Sequence, residues 1–173
     1  QQATRAGQII RSVHDFVRRR EPAKELTSIH DIVNATLPLM LLQARKAQVR
    51  VECKVDTGLP PVLADRVQIE QVLHNLIRNS IEAMQEMARR EIVVRTSPAG
   101  DGAIEIAVSD TGPGLPPEVA SRLFQPFVTT KDKGMGIGLS ICQSIVEAHH
   151  GRIWATPNAG SGVTFRITLP TAN

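Results

Sequence analysis

The sequence has no tyrosine, one tryptophan and four phenylalanines, so its core has to be built from Ile, Val, Leu and Ala. A dedicated nucleic-acid binder would interleave a clustered basic face with aromatics that stack on bases. So few aromatics, with a net charge of only +3, argue against one. Long apolar runs are missing too. The longest, Leu37 to Leu42, falls far short of the ~20 residues that cross a bilayer. No charged segment followed by an apolar one opens the chain, so no signal peptide is expected. The two cysteines, Cys53 and Cys142, lie far apart, with no CxxC and no Cys/His cluster. Redox or zinc chemistry is therefore not expected, and a reducing, cytoplasmic setting fits best. There is no internal repeat and no low-complexity tract.

What is present is ordinary globular material. The 173 residues, 42% hydrophobic and 21% charged, suggest one domain with a short appendage. The appendage is the opening segment. Ala6, Ile9, Ile10, Val13, Phe16 and Val17 recur at helical spacing, Arg residues occupy the other face, and Pro22 stops the pattern. No N-cap precedes it, so it reads as the end of a longer amphipathic helix.

Beyond Pro22, Ser28 is placed to cap a helix through Ile32, Val33, Ala35, Leu37, Met40, Leu41 and Ala44. Pro38 inside it calls for an early position or a kink. Val49 to Val55 alternates as a strand and Gly58 to Pro61 as a turn. Asp65 followed by Gln68 resembles a capping box opening a long helix from Arg66 to about Met87. Strands follow at Ile92–Thr96 and Ile104–Ser109 around a turn from Pro98 to Gly102. Next come a glycine- and proline-rich stretch from Asp110 to Gly138 and a helix from Leu139 to His149. Gly151 suits a left-handed cap for that helix, and His149-His150 would favour its dipole. Strands Arg152–Ala155 and Val163–Leu169 close the chain. Hairpin-like strands mixed with helices indicate an α+β two-layer sandwich, a mixed sheet packed on helices, rather than a doubly wound parallel sheet.

Four patches carry chemistry. Asn75 and Asn79 stand four apart on one face of the long helix, while Val72, Leu73, Leu76, Ile77 and Ile81 bury the other. Asparagine is a poor interior helix residue. Such a pair is either a polar surface stripe or a source of amide oxygen for Mg²⁺, a hard cation that takes few protein ligands. Asp110-Thr111-Gly112-Pro113-Gly114 follows a strand. It is either a common turn or a carboxylate that accepts from an exocyclic amine, with glycines that let the backbone approach a flat ring. Leu123 to Lys131 holds two of the four Phe residues. Gly134-Met135-Gly136-Ile137-Gly138-Leu139 opens a helix with alternating glycines whose N–H groups suit phosphate. It follows no strand, and GxxxxGK[ST], HRD and DFG are all absent, so a nucleotide would need another fold.

In this order and spacing, N-x-x-x-N, D-x-G-x-G, the Phe-rich box and G-x-G-x-G-L resemble the N, G1, F and G2 boxes of sensor histidine kinases. The resemblance runs from about Thr27 to the C-terminus. It extends to the superfamily shared with DNA gyrase, heat-shock chaperone and mismatch-repair ATPases, and is nearest to the nitrogen-regulation and oxygen-sensing nitrogen-fixation kinases. It implies a Bergerat-type ATP-binding fold over residues 22–173, with residues 1–21 the end of the second helix of a dimerisation hairpin. It further implies Asn79 as Mg²⁺ ligand and Asn75 as a supporting phosphate or water contact. Asp110 would bind the adenine amine over Gly112 and Gly114, with Thr164 as a polar partner near the adenine. Residues 129–136 would form a lid, with Lys131 on the phosphates and Gly134, Gly136 and Gly138, leading into Leu139, supplying N–H donors.

Hydrolysing members of the superfamily place a Glu four residues before the metal Asn. Here that place is Asn75, which cannot act as a general base, so phosphotransfer is favoured over ATP hydrolysis. Many histidine kinases carry a basic residue three after the metal Asn. Here it is Glu82, leaving Lys131, Arg78 or Lys133 to supply the charge. The resemblance implies an acceptor histidine on an earlier helix. His14-Asp15 mimics a His-acid pair, but Pro22 is too distant and only one helix is present, so His14 reads as a helix histidine. His30 fits less well still. Arg18–Arg20 reads as a solvated helix end or a sensor for a phosphorylated partner. The expected protein is thus the ATP- and Mg²⁺-binding domain of a homodimeric kinase. It would phosphorylate a histidine outside this chain for relay to a response regulator, without nucleic acid. A hydrolytic ATPase or a binding-only switch module is the alternative.

Overall fold

The computed structural model describes residues 22–128 and 136–172. The opening segment expected to be helical, with His14 and Arg18–Arg20, and also Lys131, Lys133 and Gly134, lie outside the described residues.

Eleven elements follow along the chain among the described residues: β1 (Glu25–Thr27), α1 (Ile29–Lys46), β2 (Arg50–Lys54), β3 (Val62–Ala64), α2 (Arg66–Ala83), β4 (Glu91–Ala99), β5 (Ala103–Asp110), α3 (Pro117–Ala120), α4 (Gly138–Ala148), β6 (Arg152–Pro157) and β7 (Val163–Pro170). Five strands form one sheet in the order β2-β4-β5-β7-β6. Only β2 and β4 run parallel. The sheet is mixed, as expected, and its helices cover one face.

Register explains which face. Along β5, Ile104, Ile106, Val108 and Asp110 are buried, and along β7 so are Val163, Phe165, Ile167 and Leu169. Strand side chains alternate, so these residues form the inner rows against α2 and α4. Ser109, paired with Thr164 in the ladder, belongs to the outer row. The inner rows meet Ile69, Val72, Leu73, Leu76 and Ile77 of α2 and Cys142, Ile145 and Val146 of α4 in one aliphatic core. No helix among the described residues is long and apolar enough to cross a membrane.

Several local expectations are corrected. Residues 25–27 and 62–64 form a two-stranded antiparallel sheet with Leu26 opposite Leu63; strands of three residues are too short to show a period. Ser28 stands at the N-cap of α1 but makes no side-chain cap bond. Pro38 lies well inside α1, on the exposed side with Asn34, where water can solvate the carbonyl left without a partner. The long helix ends at Ala83, not near Met87. Pro98 is part of β4, opposite Ile104, and the turn is made by Asp101 (φ 63°) and Gly102 (φ 68°).

Both ends of the final helix–strand connection also differ. The left-handed residue after α4 is His150, with φ 59°, not Gly151. A Cβ on Gly151 would instead stand 2.0 Å from the carbonyl oxygen of Thr168, so this glycine lets β6 start tight against β7. His149 is buried. Its Nδ1 lies 2.7 Å from the Ile145 carbonyl, and its Nε2 accepts from the Asp65 backbone N–H at 2.9 Å. Burial lowers its pKa, so it works as a neutral clasp rather than as a charge on the helix dipole. The capping box is therefore half made. Asp65 Oδ1 accepts from Gln68 N at 3.2 Å, but His149 takes the donor that a reciprocal Gln68 would have used. Asp65 Oδ2 accepts from Ala23 N at 3.0 Å, tying the segment before β1 to α2.

Candidate functional site

Two inner-facing structures bound the site: the polar face of α2 and the β5 end with its following turn. On α2, Asn75 and Asn79 are both half-buried. Asn75 Nδ2 donates to the Gly138 carbonyl at 3.2 Å, and Arg78 donates to Asn75 Oδ1 at 2.7 Å. A Cβ on Gly138 would stand 3.3 Å from Asn75 Oδ1, so glycine permits this close approach. Asn75 thereby joins α2 to the first residue of α4, whose N-terminus carries no side-chain cap. Leu139, next in α4, is half-buried and packs against the core.

Arg78 also faces Glu82, 3.8 Å away. Of the three cations named for the charge missing at position 82, it is the one among the described residues, and it borders Asn75 directly. Cys142 lies behind this face, fully buried. Burial pushes its thiol pKa up to about 12, which removes it as a nucleophile near neutral pH.

At the β5 end, Asp110 is buried. Its Oδ1 accepts from Gly112 N at 3.0 Å and from Val163 N at 3.2 Å, which leaves Oδ2 outside this pair of bonds. Gly112 turns the chain under the end of α2. A Cβ there would stand 3.1 Å from Asp110 Oδ1 and 3.5 Å from the Ala83 Cβ. Gly114 has φ +83° and faces the Gly162 carbonyl. The strand-following turn is further held by Thr111, whose Oγ1 accepts from Glu91 N and lies 3.0 Å from the Arg89 carbonyl.

Gly136 takes φ +65°, and a Cβ on it would fall 2.7 Å from the Phe127 carbonyl carbon. Phe127 N donates to the Gly136 carbonyl at 2.8 Å. Phe127 itself has φ 69°, an uncommon conformation for an aromatic residue. The backbone on either side of residues 129–135 is thus pinned together at one point.

The structure brings Asn75 and Gly138 together, and likewise Asp110, Gly112 and Gly114. It does not put Thr164 on Asp110's side of the sheet. Thr164 pairs with Ser109 on the outer face, and its hydroxyl lies 2.9 Å from Ser109 Oγ and 2.6 Å from Asn158 Oδ1. The neighbour that shares Asp110's face is Val163. The alternation of Val163-Thr164-Phe165 in a strand could have shown this, since Phe165 is a core residue. Asn158 and Ser161 sit in a turn without periodicity, and nothing in the sequence singled them out. Among the described residues no three His, Cys, Asp or Glu side chains gather as a metal cluster. An amide oxygen at Asn79 remains a suitable hard donor for an ion that is otherwise held by phosphates and water.

Comparison with known proteins gives the family. Residues 64–173 match the family of histidine kinase-, DNA gyrase B- and HSP90-like ATPases. The chain is 53% identical over 173 residues to the sensor protein FixL of Bradyrhizobium diazoefficiens, covering all of this chain and 34% of that protein. It is 46% identical over 171 residues to the C4-dicarboxylate transport sensor protein DctS of Rhodobacter capsulatus, covering 98% and 26%. The chain thus spans about a third of the first relative and about a quarter of the second.

Among solved structures, full-length ShkA in complex with AMPPNP matches with a TM-score of 0.80 at 25% identity, covering 96% of this chain and 36% of that one. The catalytic domain of histidine kinase ThkA matches with 0.75 at 32%, covering 86% and 95%. ThkA in complex with the response regulator protein TrrA matches with 0.78 at 27%, covering 99% and 48%. With the family model on 64–173 and nearly the whole ThkA catalytic domain covered, the chain belongs to the histidine kinase-, DNA gyrase B- and HSP90-like ATPase family as an ATP-binding domain of the histidine kinase type.

Proposed function

We propose that this chain binds Mg²⁺-ATP and passes the γ-phosphate to a histidine outside it, on the dimerisation hairpin of a homodimeric cytoplasmic kinase, for relay to a response regulator. In the transfer, the bond from the γ-phosphorus to the ADP oxygen breaks and a phosphorus–nitrogen bond forms on the acceptor imidazole. Residues 22–173 act as the catalytic domain, and residues 1–21 as the end of the hairpin's second helix.

The observation that carries the choice of phosphotransfer is Asn75. Its amide is engaged on both sides, by the Gly138 carbonyl and by Arg78. An amide accepts no proton near neutral pH, so this position cannot activate a water molecule. Asp110 reads the adenine amine through Oδ2, while its Oδ1 is occupied by backbone donors. Gly112 and Gly114 allow the ring to lie close to the backbone. Asn79 offers the metal its oxygen, and the bound ion would neutralise phosphate charge. Asn75 supports that side of the site. Lys131 and the N–H groups of Gly134, Gly136 and Gly138 serve the phosphates at the uncapped start of α4. AMPPNP in the ShkA structure supports the nucleotide, and TrrA in the ThkA complex supports the relay partner.

The test is transfer in trans. The chain is incubated with γ-labelled ATP, alone and with a separately produced histidine-bearing hairpin from a relative of this family. Label on the hairpin only is expected. Label on His14 would overturn the external acceptor. ATP binding without transfer would make the chain a switch module, and steady phosphate release without the hairpin would make it a hydrolase.

A further inference from the structure

Asn158 lies in the turn between β6 and β7, outside all four motifs, yet its side chain makes three hydrogen bonds. Its Nδ2 donates to the Asp110 carbonyl at 2.9 Å and to Ser109 Oγ at 3.0 Å. Its Oδ1 lies 2.6 Å from Thr164 Oγ1, which lies 2.9 Å from Ser109 Oγ. The hydrogens can be distributed in only one way. A carbonyl only accepts, so Nδ2 must face Asp110 and Oδ1 must face Thr164. Thr164 then spends its single hydrogen on Oδ1, and Ser109 must donate to Thr164. The three side chains close a ring in which every donor is used once, and such rings reinforce their members. The one hydrogen directed out of the ring goes to Asp110.

That bond sits where the sheet ends. The β5–β7 ladder stops at Ser109 opposite Thr164, so no β7 pair continues to Asp110, and the Asn158 amide takes its carbonyl. Two further ties come from this turn and the first residue of β7: the Ser161 hydroxyl to the Gly112 carbonyl, and Val163 N to Asp110 Oδ1. Asn158 N closes the turn itself on the Gly162 carbonyl at 3.0 Å. From these contacts we infer that Asn158 is a positioning residue for nucleobase selection. From the outer face of the sheet it fixes the peptide plane after Asp110, and so the direction of the inner-facing carboxylate, whose rotamer follows the backbone. The inference rests on Asp110 reading the purine amine.

The test compares affinities of the chain for ATP and for inosine triphosphate, which carries an oxo group in place of the 6-amino group. Wild type, Asp110→Asn, Asn158→Ala and Asn158→Asp are measured by competition against a fluorescent nucleotide. Asn158→Asp keeps the shape and the acceptor for Thr164 but removes the amide hydrogens donated to Asp110 and to Ser109. Wild type is expected to prefer ATP and Asp110→Asn to lose that preference. Both Asn158 variants should weaken ATP by about 3- to 10-fold, the range of one lost hydrogen bond, and narrow the ATP-to-inosine ratio. A ratio is unaffected by the fraction of folded protein, so mere destabilisation would leave it unchanged. An unchanged preference in Asp110→Asn would overturn the purine reading and the inference with it. Loss in Asp110→Asn with a wild-type ratio in both Asn158 variants would overturn the inference alone.

Discussion

The Cα of Gly162 lies directly against the carbonyl of Asp110: a Cβ there would stand 2.0 Å from that oxygen, at a φ of +97°. No side chain fits, and the conformation itself is one that L residues rarely adopt. Asp110 therefore owes its place to a backbone contact from the β6–β7 turn as well as to its own strand.

Gly162→Ala is accordingly expected to push β5 and the β6–β7 turn apart. The strained conformation alone is worth about 1–3 kcal/mol, and the clash adds to it. Urea unfolding should show a loss at the upper end of that range or beyond, together with loss of ATP affinity. Retention of both would show that the turn can move away from Asp110 at little cost.

Asn79→Ala is expected to abolish the metal-dependent part of ATP binding. In calorimetric titrations, wild type should bind ATP more tightly with Mg²⁺ than with a chelator present, whereas the variant should bind alike under both conditions. An intact Mg²⁺ response in the variant would reject Asn79 as the metal's protein ligand.

His149 predicts acid sensitivity. It is neutral and buried in the folded chain, with its pKa held below the ordinary 6.5 by desolvation. Below that ordinary value the unfolded chain takes up a proton that the folded chain resists, so stability falls as pH drops from about 6.5 towards the folded pKa and is fully present above it. The slope from one such group is at most about 1.4 kcal/mol per pH unit. Unfolding midpoints at pH 5.5 and 7.5 should differ in wild type and differ less in His149→Gln. An equal difference in the two would place the acid sensitivity elsewhere.

The two cysteines should differ in reactivity. Cys53 is exposed on β2, an outer strand of the sheet, and Cys142 is buried, with its thiol raised to about 12. A colourimetric thiol reagent at pH 8 should titrate one cysteine in the native protein and two in urea. Two fast equivalents in the native state would mean that α4 opens readily from the core.

Much of this arrangement was legible because it is periodic or capped. The α2 stripe of Val72, Leu73, Leu76 and Ile77 runs at helical spacing, and Asp65 stands where a cap must stand. Asn75, Asn79, Asp110 and the glycine series stand at spacings that few folds share, and those spacings carried the resemblance to the kinase family. Alternation in β5 and β7 located the sheet. What stayed illegible has the opposite character: β1 and β3 are too short for a pattern, and Asn158 and Ser161 lie in a turn.

The sequence by itself determined the α+β layers, the polar face of the long helix and the residue types that define the family, since each follows from local spacing and side-chain chemistry. Only the tertiary structure decided that His149 completes the cap of α2 and that Gly151 serves close packing against Thr168. Only it tied Asn158 of the β6–β7 turn to the Asp110 carbonyl. Those outcomes depend on register between strands and on contacts between residues far apart in the chain, for which a one-dimensional pattern carries no signal.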